Sequence, residues 1–154
     1  MQMPKSDIKE MGTETFESII THIPSPIEAV YATLSDLNNV GRLRNAIPDD
    51  RAQQIKEMRF DADSCTISID PVGELTFRIV MREPHKTIKF AAENSPVPLF
   101  LWIQLVAVDE MNTKCRITVK ADVNPFLKTM IAKPMKEGID RMAQALAVIP
   151  YNKL

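Results

Sequence analysis

The 154-residue sequence has only four glycines, two cysteines and two histidines, and its charges nearly cancel. A loop that cradles phosphate needs several glycines close together, so their scarcity disfavours a nucleotide-binding loop. Nineteen lysines and arginines against twenty acidic residues leave no net field that would steer nucleic acid to the surface. We therefore expect no nucleic-acid partner.

The two cysteines, Cys65 and Cys115, have the wrong number and spacing for a metal site or a disulfide framework. Both stand among β-branched residues, which predicts two buried strand thiols and fits a reducing compartment. The first ten residues carry four charges and no apolar run, unlike a signal peptide. The longest apolar stretch, 97–108, contains Pro98 and is too short to span a bilayer. We expect a cytoplasmic protein without membrane insertion, metal or cofactor.

The first third of the chain predicts a strand followed by two short helices. A strand is predicted over residues 14–23. Ser25 as a cap and Pro26 at the first helical position then predict a helix to about residue 36. Residues 37–47 predict a second short helix.

The rest of the chain predicts strands and one long helix. From residue 54 to 122, apolar and polar side chains alternate between short polar turns, which predicts about six antiparallel strands. Residues 125–149 carry apolar side chains every three or four positions, which predicts an amphipathic helix capped by Asn124. Pro134 removes a backbone hydrogen bond there, so we expect a kink or a fresh start.

A sheet with one apolar face and a helix with one apolar stripe must bury those sides against each other. We therefore predict an α+β fold in which a curved antiparallel sheet of about seven strands wraps the C-terminal helix, with a cavity between them. One domain covers residues 13–149, between a flexible tail at 1–12 and a short tail at 150–154.

Three segments resemble one known superfamily: residues 23–36 (IPSPIEAVYATLSD), 83–88 (EPHKTI) and 138–146 (GIDRMAQAL). They are similar to the START-like, Bet v 1-like superfamily with its helix-grip fold, and specifically to its polyketide cyclase/dehydrase and lipid-transport branch, SRPBCC. The resemblance implies a pocket for apolar small molecules such as lipids, sterols or polyketides. One departure is the turn at residues 61–64, where plant relatives carry a glycine-rich loop, so no phosphate role is carried over.

The alternation predicts which side chains line the cavity. This set is apolar, and only Cys65 in it is a potential nucleophile or base. Methionines from the helix suit an adaptable apolar pocket. The alternative, that these side chains simply fill a close-packed core, stays open. The predicted ligand-binding residues are Met58, Phe60, Ile67, Ile69, Phe77, Ile79, Met81, Phe90, Ile117, Val119, Met130, Met135 and Met142.

A few polar and aromatic residues receive a separate interpretation. His85 is predicted to be a solvated turn residue, whereas His22 ends the first strand and is a candidate for facing the pocket. Gln104 is a candidate for orienting a ligand, since both faces of its strand are apolar. Trp102 and its neighbours are read as a homodimer patch on the outer sheet surface. Five cations fall on the outward parity and predict a solvated face: Arg78, Arg82, Lys89, Arg116 and Lys120.

The sequence thus predicts non-catalytic binding of a hydrophobic small molecule, driven by burial of apolar surface. One alternative is a cyclase or dehydratase type of enzyme, which would need an acid or base such as His22, Tyr31 or Asp70 inside the pocket. The inward set of residues does not support that alternative. Another is a protein-interaction module whose cavity is vestigial.

Overall fold

The computed structural model describes residues 13–47, 58–69 and 73–153. The N-terminal tail predicted at 1–12 lies outside the described residues. So do Asp70 and the side chain of Ile69.

The described residues contain eight strands: β1 Thr13–Glu17, β2 Thr21–Ile23, β3 Arg59–Phe60, β4 Ser64–Ile69, β5 Gly73–Glu83, β6 Thr87–Ala92, β7 Leu99–Asp109 and β8 Asn112–Asp122. They form one antiparallel sheet in the order β1–β8–β7–β6–β5–β4–β3, with β2 also paired to β8. The consecutive pairing from β3 to β8 confirms the predicted meander.

The predicted first strand is divided into β1 and β2, and Ser18 explains the break. Its backbone N–H donates to the carbonyl of Ile117 at 2.8 Å, and its hydroxyl accepts from the Ile117 N–H at 2.8 Å. A side chain therefore replaces the backbone carbonyl in the ladder. The N–H of Ile19 turns away and donates to Asp140 of the C-terminal helix at 2.8 Å.

Among the described residues, three α-helices complete the fold: α1 Ile27–Leu34, α2 Leu37–Leu43 and α3 Pro125–Ala147. Asn124 caps α3 as predicted, because its side chain accepts from the N–H of Leu127 at 2.8 Å. The predicted Ser25 cap is wrong, since Pro26, which was predicted at the first helical position, occupies the cap position and makes no side-chain cap hydrogen bond. The α3 helix runs through Pro134 without a fresh start. In the part of the chain that is described, no helix is long and apolar enough to cross a membrane.

The apolar stripe of α3 and the inner face of the sheet share one core, as predicted. The helix contacts β1, β2 and β8, and Ile139 and Leu146 belong to the same buried cluster as Phe77 and Ile117. Ile117 is 0% and Phe77 4% exposed.

A register shift in β5 reverses which side chains face inward. The pairing with β6 slips between Ile79 and Met81, as at a β-bulge, where an extra residue shifts the alternation. Met81 consequently lies opposite Lys89 on the outer face, and Arg82 lies opposite Ile88 on the inner face. The predictions that Met81 faces inward and Arg82 outward are therefore wrong, because a strict period of two fails at the bulge.

Candidate functional site

A cavity lies between the inner face of the sheet, the α1–α2 corner and the last turns of α3. Its volume is about 50 Å³, and the space between the lining atoms is about 550 Å³ when the open mouth is included. Ligand pockets commonly measure roughly 300–1,000 Å³, whereas a volume of about 50 Å³ has room for only a few water molecules. The lining residues are Leu34, Leu37, Val40, Met58, Phe60, Cys65, Ile67, Phe77, Phe90, Leu101, Ile103, Ile117, Met142 and Leu146.

The sheet register places the floor of this cavity. Phe90 lies opposite Leu101 across β6 and β7, and Ile103 lies opposite Ile117 across β7 and β8. Residues paired in this way project from the same face of the sheet and pack side by side. The floor is therefore a continuous apolar surface built from three adjacent strands.

The walls come from helices and from the far edge of the sheet. Leu34 ends α1 and Leu37 begins α2, so the corner between the two helices covers one side. The Asp36 side chain caps α2 by accepting from the Asn38 N–H at 3.1 Å, which fixes this corner. Met142 covers the other side from α3.

Of the thirteen predicted ligand-binding residues, seven line the cavity, and they come from β3 and its approach, β4, β5, β6, β8 and α3. This group is Met58, Phe60, Ile67, Phe77, Phe90, Ile117 and Met142. Ile79 and Val119 are buried in the core without lining the cavity. Met135 is half-buried against the core.

Met81 and Met130 are corrections, because both side chains lie on the surface. Met81 is 38% exposed as a result of the bulge in β5, and Met130 is 58% exposed. Met130 belongs to the first part of α3, residues 125–138, in which no side chain is fully buried. There the inward stripe passes through Leu127 and Ile131, four residues apart, and Met130 lies about 100° away from Ile131 around the helix.

Sequence reasoning missed six of the lining residues: Leu34, Leu37, Val40, Leu101, Ile103 and Leu146. The helix residues carried a usable signal, since apolar side chains at helical spacing must face the sheet. Leu101 and Ile103 carried none, because both faces of their strand are apolar and only the pairing with β8 decides which face is inward.

The Cys65 thiol is a potential nucleophile in the lining of the cavity, and burial raises its pKa to about 12. Burial likewise raises the pKa of Cys115, which is also a free thiol, to about 12. A thiol with such a pKa stays protonated near neutral pH, and the thiolate is the reactive form. Both cysteines lie in strands as predicted, and the geometry gives neither a nucleophilic role.

His22 and Gln104 lie away from the cavity. His22 is exposed, with its Nε2 atom 2.7 Å from the side-chain oxygen of Asn112. The Gln104 side-chain oxygen lies on the outer face and accepts from the Thr118 hydroxyl at 2.9 Å and from Arg116 Nε at 3.1 Å. Their proposed roles toward a ligand in the pocket are therefore wrong.

The outer face of the sheet is less exposed than predicted. Trp102 is only 2% exposed and Lys120 5% exposed. The ammonium of Lys89 lies 5.1 Å from the centre of the Trp102 ring and 4.8 Å from that of Phe100. Trp102, the centre of the predicted homodimer patch, is thus buried, and Lys120 is not part of a solvated face. The alternation along each strand predicted on which face of the sheet these residues lie, but it could not predict whether they are buried there.

A polar cluster borders the cavity at the α1–α2 corner. The Tyr31 and His85 rings form an edge-to-face contact at 5.6 Å, and burial is the main cause that raises the pKa of the Tyr31 phenol. His85 is exposed, as predicted, and has a φ of 61°. Arg82 Nε donates to the Ser35 carbonyl at 2.8 Å, and its Nη2 lies 2.6 Å from Asp63 Oδ1.

The curved antiparallel sheet closed by a C-terminal helix defines a helix-grip protein of the α+β class. A sequence profile described as "Polyketide cyclase / dehydrase and lipid transport" matches residues 15–148. The chain belongs to this family, which confirms the resemblance to the polyketide cyclase/dehydrase and lipid-transport branch found in the sequence. None of the curated proteins matches the sequence.

Solved structures of low sequence identity share the fold. Norcoclaurine synthase from Thalictrum flavum, in complex with dopamine and hydroxybenzaldehyde, is 10% identical with a TM-score of 0.67, over 96% of this chain and 91% of that one. A START superfamily protein from Mycobacterium smegmatis is 12% identical with a TM-score of 0.59, over 88% of this chain and 94% of that one. A protein from Thermobifida fusca is 13% identical with a TM-score of 0.61, over 91% and 94%.

Proposed function

We propose that this protein binds a hydrophobic small molecule, of lipid, sterol or polyketide type, between the sheet and α3 without covalent chemistry. The observation that carries the proposal is a lining made of apolar side chains and one protonated thiol. Such a lining offers binding energy through burial of apolar surface, at about 25 cal/mol per Å². We retain the expectation that binding takes place in the cytoplasm.

The small volume of the cavity limits how a ligand can bind. A ligand larger than a few waters must use the open mouth or displace side chains, because the cavity volume is only about 50 Å³. Met58 and Met142 line the cavity, and unbranched thioether side chains can change rotamer at little cost.

The test is a titration of the full chain with the neutral fluorophore N-phenyl-1-naphthylamine. We expect saturable enhancement at one dye per chain. Ile67→Trp should abolish it by filling the cavity, and Ser68→Trp, at the next and exposed position of β4, should not. Cys65→Leu is a milder filling variant for the case that Ile67→Trp fails to fold.

Native mass spectrometry of protein purified from cells gives a second measurement. A retained apolar mass that is released by denaturing extraction supports the proposal. A chain that is empty on purification and also fails to bind the dye contradicts it.

A second candidate function is catalysis, favoured by the polar cluster around Tyr31 at the edge of the cavity. Of the other acids and bases predicted for this function, His22 is exposed on β2, and Asp70 lies outside the described residues. Dopamine and hydroxybenzaldehyde are the first substrates to test, because norcoclaurine synthase, which has the same fold, binds them. Condensation that depends on Tyr31, and is lost in Tyr31→Phe, would replace the non-catalytic proposal.

A further inference from the structure

The bulge in β5 places one cation in line with the apolar floor of the cavity. Arg82 lies opposite Ile88, Ile88 lies opposite Ile103, and Ile103 lies opposite Ile117. These four residues form one row across the inner face, and the last two line the cavity. A guanidinium therefore ends an otherwise apolar row.

The contacts of Arg82 place it at the rim of the cavity. Its Nε donates to the carbonyl of Ser35, in the corner between the lining residues Leu34 and Leu37. Its Nη2 pairs with Asp63, in the turn between β3 and β4. The guanidinium thus touches two of the elements that enclose the cavity.

The ion pair with Asp63 is exchangeable. The Arg82 side chain is 39% exposed and that of Asp63 is 55% exposed. Exposed pairs contribute little to stability, because water and salt screen them. A ligand carboxylate at Arg82 would replace one carboxylate by another, and Asp63 would return to water at small cost. Guanidinium groups also bind carboxylates through two parallel hydrogen bonds, which orients the ligand.

We propose that Arg82 binds the carboxylate of an amphipathic acid whose apolar body occupies the cavity. This inference rests on the binding function proposed above and narrows its ligand class from apolar molecules to apolar acids. The carboxylate lies at the rim, where it keeps contact with water, and the apolar body is directed along the row toward Ile103 and Ile117.

The experiment measures displacement of N-phenyl-1-naphthylamine by octanoate and by 1-octanol, which have the same chain length and different end groups. The quantity of interest is the ratio of octanoate to octanol affinity at pH 7. Arg82→Met should lower this ratio about tenfold by removing a charge-assisted pair. Arg78→Met is the matched control, since Arg78 is on the same strand and pairs with Glu93 on the other face.

A second arginine serves as a further control. The Arg44 guanidinium lies 4.9 Å from the centre of the Phe60 ring, which lines the cavity. If Arg44→Met lowers the ratio and Arg82→Met does not, the assignment to Arg82 is overturned. An unchanged ratio in Arg82→Met, or an equal fall in Arg78→Met, overturns it as well.

Asp63→Asn keeps the inference testable if Arg82→Met does not fold. Removing the competing carboxylate should raise the ratio of octanoate to octanol affinity, and an unchanged ratio contradicts the proposal.

The binding proposal and the carboxylate proposal fail in different ways. If neither dye nor octanol binds the wild-type chain, the binding function itself is wrong. If both bind and the ratio is insensitive to Arg82 and Asp63, only the carboxylate assignment is wrong.

Discussion

The two faces of the sheet bury side chains by different means. On the inner face, Ile88 and Ile117 are 0% exposed, and their apolar side chains need no hydrogen-bond partner. On the outer face, Thr118 is 3% exposed and donates its hydroxyl to Gln104. Polar groups removed from water must find partners, whereas apolar groups need only close packing. The comparison shows that alternation along a strand predicts polarity on each face, and that polarity does not fix exposure.

The largest expected difference between the faces comes from adjacent residues of β8. Ile117→Ala should lower the free energy of unfolding by roughly 2–5 kcal/mol, because it leaves a cavity in the core. Thr118→Ala should lower it by about 1 kcal/mol, the value of one hydrogen bond. Urea unfolding measures both. Equal losses would contradict the distinction between the two faces.

The second prediction concerns Lys120, whose ammonium is buried and has no hydrogen-bond partner among the described residues. Lys120→Met should raise the free energy of unfolding by about 1–3 kcal/mol, because it removes an unpaired buried polar group. Lys114→Met is the matched control on the same strand and face, where the side chain is exposed. It should change stability by less than about 0.5 kcal/mol. Destabilisation by Lys120→Met would mean that the ammonium is satisfied.

A difference between local and long-range interactions explains which parts of the fold could be predicted from the sequence. The element order followed from periodicity and capping signals such as Asn124, because local hydrogen bonds and burial act within a few residues. The bulge at β5 left no such signal, since it depends on pairing between β5 and β6. It moved Arg82 from the predicted outer face of the sheet to the inner face, opposite Ile88. Long-range register likewise decided that Leu101 and Ile103 line the cavity.

The third prediction tests the inner face by pH. Cys65 and Cys115 have pKa values of about 12 in the folded chain, against about 8.5 in an unfolded chain. The folded state therefore keeps protons that the unfolded state releases, and stability falls as pH rises above about 8.5. At pH 9.5 the loss should be about 1.4 kcal/mol per thiol relative to neutral pH.

Urea unfolding between pH 7.5 and 9.5 measures this loss, and the range stays below the ordinary pKa of tyrosine. Cys115→Ala provides the comparison, because it should remove about half of the pH-dependent fall whatever it costs at neutral pH. A fall of the same size in the variant and the wild type would show that the Cys115 thiol is not buried as described.

The smallest expected effect returns to the outer face, at Lys89. Its ammonium lies over the rings of Phe100 and Trp102, and such contacts contribute about 0.5–1 kcal/mol at partly exposed sites. Lys89→Met should lower stability by that amount and change Trp102 emission, which is readable because the chain has a single tryptophan. Lys86→Met, at a side chain 71% exposed, should leave emission unchanged. A loss well above 1 kcal/mol in Lys89→Met would mean that its alkyl chain, rather than its charge, covers the rings.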